Sequence, residues 1–553
     1  MQLRVPSVRI MSPSRMTPEQ ASRLTLAEQH AWYRRFASRR GLLCNGVAGA
    51  GPLVAGPALL GGTAAAGLAA AGTTAAGTTA RRRPASPMLL AKSSWISGSA
   101  VPPFGRHLAY GSDPASQISV AWQVPVQVSD PFIRVGTTPW DLGERIGAEV
   151  RALTTQVSDT RPVGSVPPSA AATVEQFYLH ARLTGLRPGH TYFYSLGHRG
   201  WDASQGFAAI GSFSTAPAGR IPFTFTAFGD QGVSYDAVGT SALIRAQNPA
   251  FHLHAGDVSY AESGGRGLVT DSYDPRVWDS FFTEIEPAAA SIPWQVAVGN
   301  HEMEAWYSPD GYGGQHARFD FPGEASSAAR PTYYSFVYGN VGIVSLDAND
   351  VSFEIPANHG YTGGTQVAWL ARTLAGLRRQ PEVDFIVAYF HHCAYCTCAV
   401  HGSEGGARKF FVPLFDQFGV DLVINGHNHI YERTDPLRGG VSRPAPIGST
   451  VRPATEGTTY IAAGGAGVGL YDFGAPDSYQ GQVRAVPSVP GFVNEAGGST
   501  VTETVTWSRT RFTGYCLLVM DSKPGWRPGA PSTLIVRGLS EDGSEVDRVV
   551  LAR

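Results

Sequence analysis

Short apolar runs with polar turns between them make up residues 101 to 217. Gln117–Trp122, Phe132–Val135, Gln176–Ala181 and Thr191–Leu196 alternate apolar and polar positions, and Gly, Pro and Asp separate them. Period-two alternation over runs this short predicts an antiparallel sandwich. After Pro217 the pattern changes, and apolar runs alternate with stretches of helical periodicity. Strands are predicted at Phe223–Phe228, Phe251–Ala255, Trp294–Val298, Val341–Leu346, Phe385–Phe390 and Val420–Ile424. Helices are predicted at about Asp236–Gln247, Pro275–Glu286, Gln366–Arg379 and Arg408–Phe418. Such alternation argues a layered α/β domain. Tyr460–Ala463 reads as a further strand, Cys516–Met520 and Thr533–Val536 are expected to close the sheet, and no internal repeat is evident.

The stretch Leu183-Thr184-Gly185-Leu186-Arg187-Pro188-Gly189-His190-Thr191-Tyr192 resembles the L-x-P-x-T-x-Y segment of fibronectin type III domains. Residues 101–217 are therefore expected to be a fibronectin-like domain and residues 218–553, including a carboxyl-terminal part at 490–553, the α/β domain. Ahead of both, Gly41–Ala80 holds no charged residue, and Ala (13) and Gly (10) dominate it. Arg39-Arg40 stands directly before this stretch, which resembles a twin-arginine (Tat) export signal. Gly, Thr and Pro dilute the stretch below what a stable membrane span needs. Residues 1–80 are thus read as an export signal with its cleavage site open, Met11 and Met16 as alternative starts, and residues 81–100 as a linker. The protein is expected to be secreted, periplasmic or attached to the cell wall.

Composition narrows the function. The chain of 553 residues is 43% hydrophobic and only 16% charged, which excludes disorder as its main state. Net charge is −1, but residues 1–40 carry eight Arg against Glu19 and Glu28, so the remainder is acidic. A binder that relies on a basic footprint for nucleic acid is excluded, because counterion release needs that footprint.

Candidate chemistry lies at strand ends. Five predicted strands run into Gly229-Asp230-Gln231-Gly232, Gly256-Asp257-Val258-Ser259-Tyr260, Gly299-Asn300-His301-Glu302, His391-His392 and Gly426-His427-Asn428-His429. In an α/β sheet the carboxyl ends of strands line one crevice, so these groups can meet although they span 200 positions. Carboxylates suit hard cations, imidazole suits iron or zinc, and Asn adds a neutral oxygen. A pair of metal ions is the reading, with glycine beside each donor expected to let the backbone turn.

The order GD-x-G, GD-x-x-Y, GNHE, an apolar strand ending in His, then GH-x-H resembles the signature of the metallophosphoesterases, and the Tyr resembles the purple acid phosphatases. The resemblance covers about residues 101 to 553 and implies a fibronectin-like sandwich followed by a four-layer α/β/β/α domain. It implies that Asp230, Tyr260 and His429 hold ferric iron, that Asn300, His391 and His427 hold a divalent iron, zinc or manganese ion, and that Asp257 bridges them. Three negative charges against five positive leave the site attractive to phosphate. The implied reaction is hydrolysis of small phosphate monoesters by a metal-bound hydroxide. His301 matches the family's phosphate contact, and His401, three residues before Glu404-Gly405, is the candidate proton donor. The alternatives are a phosphodiesterase or nucleotide pyrophosphatase on the same scaffold, and a surface binding protein with a decayed catalytic domain. Neither substrate identity, governed by loops 303–335 and 350–364, nor oligomeric state follows from any motif.

The loop after His391 departs from the family pattern. His392 is an alternative ligand if the register shifts by one, or a second substrate contact. Cys393, Cys396 and Cys398 are expected to form a local disulfide, such as Cys393 to Cys398, that stiffens this loop, with the connectivity open; a zinc site is the sharper and less favoured alternative. His252 and His254 share one strand face and are expected to pack rather than ligate. Gly464-Gly465-Ala466-Gly467 reads as a turn near the pocket rim.

Overall fold

The computed structural model describes residues 101–158, 173–202, 210–323, 332–473, 481–482, 486–527 and 529–553. The expected export signal, the linker and Cys44 fall outside these residues. Among the described residues, no helix is long and apolar enough to cross a membrane.

The leading domain is a sandwich. One sheet orders Phe104–Tyr110, Ile118–Val124, Thr173–Leu183 and Glu149–Gln156. The other orders Glu144–Gly147, Phe132–Gly136, Thr191–His198 and Trp201–Asp202, with Gly211–Ser214 also on Thr191–His198. Period-two residues of both sheets, among them Leu108, Val120, Trp122, Ile133, Leu179 and Tyr194, meet in one core. The fibronectin-like segment closes a corner: the Tyr192 hydroxyl accepts from Arg187 N at 2.9 Å, five residues upstream.

The second domain stacks two mixed sheets between two layers of helices. Its first sheet runs Trp294–Val296, His252–His254, Phe223–Phe228, Cys516–Lys523, Thr533–Ser540, Glu545–Ala552, Thr450–Val451. The second runs Tyr334–Tyr338, Val341–Ser345, Phe385–Phe390, Leu422–Asn425, Thr459–Ala463, Tyr431–Thr434, Ser508–Phe512, Gly481–Gln482. Phe385–Phe390 explains the unbroken apolar runs. Val387 and Tyr389 face the core between the sheets, whereas Ile386, Ala388 and Phe390 face Leu370, Leu374 and Phe415 of the outer helices. A strand covered on both faces has no polar side to alternate with. On the opposite surface, Phe228, Val296 and Val519 pack under Ile244, Trp278, Phe281 and Ile285 of helices Tyr235–Gln247 and Arg276–Ala289. The layer order is α/β/β/α.

Two expectations about elements need correction. Cys516–Lys523 does not close an edge but lies centrally, antiparallel between Phe223–Phe228 and Thr533–Ser540. The helix expected over Arg408–Phe418 is two, Gly405–Phe410 and Val412–Phe418. Pro413 lacks an N–H and crowds the preceding turn, so the ladder restarts there.

The domains meet over helix Arg276–Ala289. Gln123 and Gln176 of the sandwich donate to Asp279 Oδ1 at 2.9 and 2.8 Å, and Gln295 Oε1 accepts from Tyr110 N at 2.7 Å. Burial pushes the Asp279 carboxyl up to about 7; the bonds from Gln176 and Gln123 oppose this, Asp274 adds to it, and Arg318 opposes it. Unfolded, the same carboxyl ionises near pH ~3.9. Its contribution to stability is therefore complete below that value and lost as pH rises through about 7. Asp279→Asn should flatten the decline in unfolding free energy between pH 5 and 7 by up to one proton, about 1.4 kcal/mol per pH unit. Urea unfolding at three pH values checks this, and an unchanged slope rejects it. Asp236 and Glu404, each also pushed up to about 7 by burial, keep a residual slope in the variant.

Candidate metal centre

Strands Phe223–Phe228, His252–His254 and Trp294–Val296 are parallel, as are Val341–Ser345, Phe385–Phe390, Leu422–Asn425 and Thr459–Ala463. Their carboxyl ends open toward one crevice, and the polar segments of the sequence follow these ends within a few residues. Asp230, Asp257, Tyr260, Asn300, His391, His427 and His429 are all brought together and buried there.

Their functional atoms fall into two groups. In one, the Tyr260 hydroxyl lies 3.1 Å from Asp230 Oδ1 and 3.0 Å from His429 Nε2, and His429 Nε2 lies 3.4 Å from Asp230 Oδ1. In the other, His391 Nε2 lies 3.0 Å from Asn300 Oδ1, 3.0 Å from Asp257 Oδ2 and 3.2 Å from His427 Nδ1. His391 Nε2 also stands 3.9 Å from Asp230 Oδ1, so the groups adjoin. Asp257, His391 and His427 offer donor atoms within 4.8 Å of one another.

The backbone is strained to achieve this. Asp230, Asp257, Tyr260 and His427 have φ of 62°, 52°, 56° and 67°. Left-handed backbone is costly for these residues, and four such positions at one locus mark a functional constraint. The expectation that glycines make these turns holds for Gly256, with φ of 85° directly before Asp257, and is corrected for Gly229, Gly299 and Gly426, which lack positive φ. They provide clearance. A Cβ on Gly299 would stand 2.2 Å from Asp257 Oδ1, and one on Gly426 2.5 Å from Asp230 Oδ2.

The residues behind the donors hold their orientation. His391 Nδ1 donates to Ala255 O at 2.9 Å and His429 Nδ1 to Gly469 O at 2.7 Å, which frees each Nε2 for the cluster. Asn300 Nδ2 donates to Gly265 O at 3.1 Å, turning its Oδ1 inward. Glu302, to which sequence reasoning gave no role, accepts from Asp257 N, Val258 N and Gly299 N at 2.7, 2.9 and 2.8 Å. Its place in Gly-Asn-His-Glu was the available signal.

Charge fits a cationic occupant. Burial, then Asp230 and Asp257, hold the Tyr260 phenol well above its usual range. Burial opposes protonation of His391, yet Asp257 and Asp230 overcome it and push the imidazole up to about 10. Two carboxylates, a phenol, an amide oxygen and three imidazoles facing one another are a hard and borderline donor set that cations relieve.

His301 stands at the mouth. Its Nδ1 bonds Glu262 O at 2.7 Å, and its backbone N donates to Asp257 Oδ1 at 3.0 Å. Burial lowers its basicity, but Asp257 and Glu262 prevail and push it up to about 9. His401 lies with its ring 4.0 Å from that of His427 and its Nδ1 2.5 Å from Glu354 Oε1. Glu354 belongs to no motif, and sequence reasoning missed it. It missed Tyr471 as well, whose ring stacks on His429 at 3.9 Å.

His392 is not among the converging atoms. Its ring packs 4.3 Å from that of His427, and neither nitrogen has a hydrogen-bond partner among the described residues. The expected Cys393–Cys398 disulfide is not formed: Cys393, Cys396 and Cys398 are free, buried thiols. The loop is held by other means. Cys393 donates to Gly426 O at 3.0 Å, and Glu432 accepts from Thr397 N and Oγ1, each at 2.7 Å. His252 and His254 pack against Phe228 and Trp294. Gly464 lies against the centre, where a Cβ would meet Asp230 Oδ2 at 2.7 Å.

Residues 223–431 match the calcineurin-like phosphoesterase family and residues 103–215 the purple acid phosphatase N-terminal domain. The uncharacterized protein Rv2577 of Mycobacterium tuberculosis is 32% identical over 470 residues, which cover 79% of this chain and 84% of that protein. Purple acid phosphatase 15 of Arabidopsis thaliana is 29% identical over 274 residues, 46% of this chain and 49% of that one. Purple acid phosphatase PPD1 from yellow lupin (Lupinus luteus) seeds shares the fold, with a TM-score of 0.58 at 21% identity over 82% of this chain and 75% of that one. Motifs, fold and relatives agree, and the chain belongs to the purple acid phosphatase family of calcineurin-like phosphoesterases.

Proposed function

We propose that this protein is an exported acid phosphatase that hydrolyses small phosphate monoesters at a dinuclear centre of ferric iron and a divalent iron, zinc or manganese ion. The observation that carries the reading is the division of the donor atoms into two adjoining groups, Asp230/Tyr260/His429 and Asn300/His391/His427, with Asp257 beside the second. The first group, rich in anionic oxygen, suits the ferric ion, and the second suits the divalent one. When bound, such a pair acidifies water and neutralises phosphate charge.

The side chains do the rest. Glu302 and the glycine clearances fix Asp257 beside the second group, and backbone carbonyls fix His391 and His429. His301, held through Nδ1 by Glu262 O at 2.7 Å and through its backbone N by Asp257 Oδ1 at 3.0 Å, is the residue that would meet the phosphoryl oxygens. His401, with its side chain 23% exposed beside His427, reaches the leaving oxygen and gives it a proton. Loops 303–335 and 350–364 select the ester.

Initial rates on an aryl phosphate monoester and the matching diester, from pH 4 to 9, test this with the full chain expressed in iron plus a divalent metal. Faster monoester cleavage with an acidic optimum is expected. Preferential diester cleavage near neutral pH would make the protein a phosphodiesterase on the same scaffold, and absence of bound metal would revive the surface binding protein.

A further inference from the structure

Glu354 lies in the loop between strand Val341–Ser345 and helix Thr365–Arg379, and its carboxylate touches two imidazoles of the centre. Oε1 stands 2.5 Å from His401 Nδ1 and Oε2 stands 3.0 Å from His427 Nε2. A carboxylate only accepts, so both imidazoles donate to it. The opposite nitrogen of His427, Nδ1, lies among the donor atoms, 3.2 Å from His391 Nε2. Glu354 therefore stands directly behind one donor and directly behind the candidate proton donor.

Its placement is built. Glu404 caps helix Gly405–Phe410 by accepting from Ala407 N at 2.7 Å, and its Oε1 accepts from Phe353 N and from Glu354 N, the latter at 3.2 Å. One buried carboxylate thus staples the Glu354 loop to the segment that begins just after His401. Among the three donor imidazoles, His391 and His429 are held from behind by backbone carbonyls, whereas His427 is held by this side chain, which is 22% exposed.

We infer that Glu354 is a positioning residue that fixes His427 and His401 together, so that retention of the divalent ion and protonation of the leaving group depend on one carboxylate. The inference rests on the proposed function. Carboxylates that orient a metal-binding imidazole are worth roughly 10- to 100-fold in metal affinity. Two readouts on the full chain test it: the dissociation constant of zinc, measured by competition with a chelator, and the dependence of kcat/KM on leaving group from aryl to alkyl phosphate monoesters. Glu354→Ala should weaken zinc by about 10- to 100-fold and steepen the leaving-group dependence. Glu354→Gln, whose amide has one acceptor oxygen, should fall between the parent and Glu354→Ala on both scales. His401→Ala should steepen the leaving-group dependence and leave zinc affinity near that of the parent.

Glu354→Ala that binds zinc as tightly as the parent, or that loses zinc yet keeps the parent's leaving-group dependence, overturns the coupling. If the parent itself binds no metal and cleaves no monoester, the proposed function falls and this inference with it. If the parent does both and Glu354→Ala matches it, only the inference falls. Unfolding of the metal-free variants confirms that differences arise in the site, since a merely structural role would lower stability and leave the zinc affinity and leaving-group dependence of the folded protein at the parent's values.

Discussion

Asp257→Asn is expected to lower phosphate-monoester turnover by on the order of 10³-fold and to leave the protein with at most one tightly held metal ion. The substitution keeps the side chain's shape. Backbone N of Asp257 would still donate to Glu302 at 2.7 Å, and Oδ1 could still accept from His301 N at 3.0 Å. What disappears is the charge at Oδ2, 3.0 Å from His391 Nε2, which stands where the two donor groups adjoin. A neutral amide there no longer balances two cations. Metal analysis and steady-state rates on an aryl phosphate check the prediction. A variant with two ions and a tenth of parental activity would show that Asp257 is not the residue shared between them. Because φ of 52° suits Asn at least as well as Asp, loss of folding is not expected, and urea unfolding of the metal-free protein should be near parental.

Much of this centre was legible because of where the strands sit. Phe385–Phe390 is covered on both faces, so it reads as a solid apolar run whose end is unmistakable, and His391 follows at once. Leu422–Asn425 before His427 reads the same way, whereas Phe223–Phe228 alternates Phe with Thr and is marked by the Gly-Asp that follows it. Donors placed at strand ends inherit the clarity of the strands. Glu354 had no such frame, since it comes from a loop without periodicity and meets His427 across 73 positions. Its partner Glu404 was visible only as part of a Glu-Gly pair, and its role as a staple needed the fold. The central position of Cys516–Lys523 was likewise unreadable, because a buried strand carries no mark of its neighbours. The break at Pro413 was readable from the proline alone. The misjudged glycines teach a physical point: a glycine beside a donor signals either positive φ or close approach, and sequence does not distinguish them.

Tyr260→Phe is expected to abolish the visible absorption of the iron-loaded protein and to weaken its hold on ferric iron. Only one oxygen is removed. The ring, 4.4 Å from that of His301 and buried, retains its packing, so the fold survives. The oxygen nevertheless lies 3.1 Å from Asp230 Oδ1 and 3.0 Å from His429 Nε2, at the centre of the first donor group. Burial and the neighbouring carboxylates hold this phenol well above its usual range, so its ionisation requires a strong cation at that place. A phenolate on ferric iron absorbs in the visible by charge transfer, whereas Phe offers no such orbital. The spectrum therefore reports on one residue and one oxidation state, independently of turnover. A band that survives in Tyr260→Phe would remove Tyr260 from the donor set, and a parent that binds iron without colour would reject ferric iron in the first group. Hydrolysis should fall less than in Asp257→Asn, because Asp230 and His429 still flank the position, whereas Asp257, proposed as the residue both ions share, has no substitute.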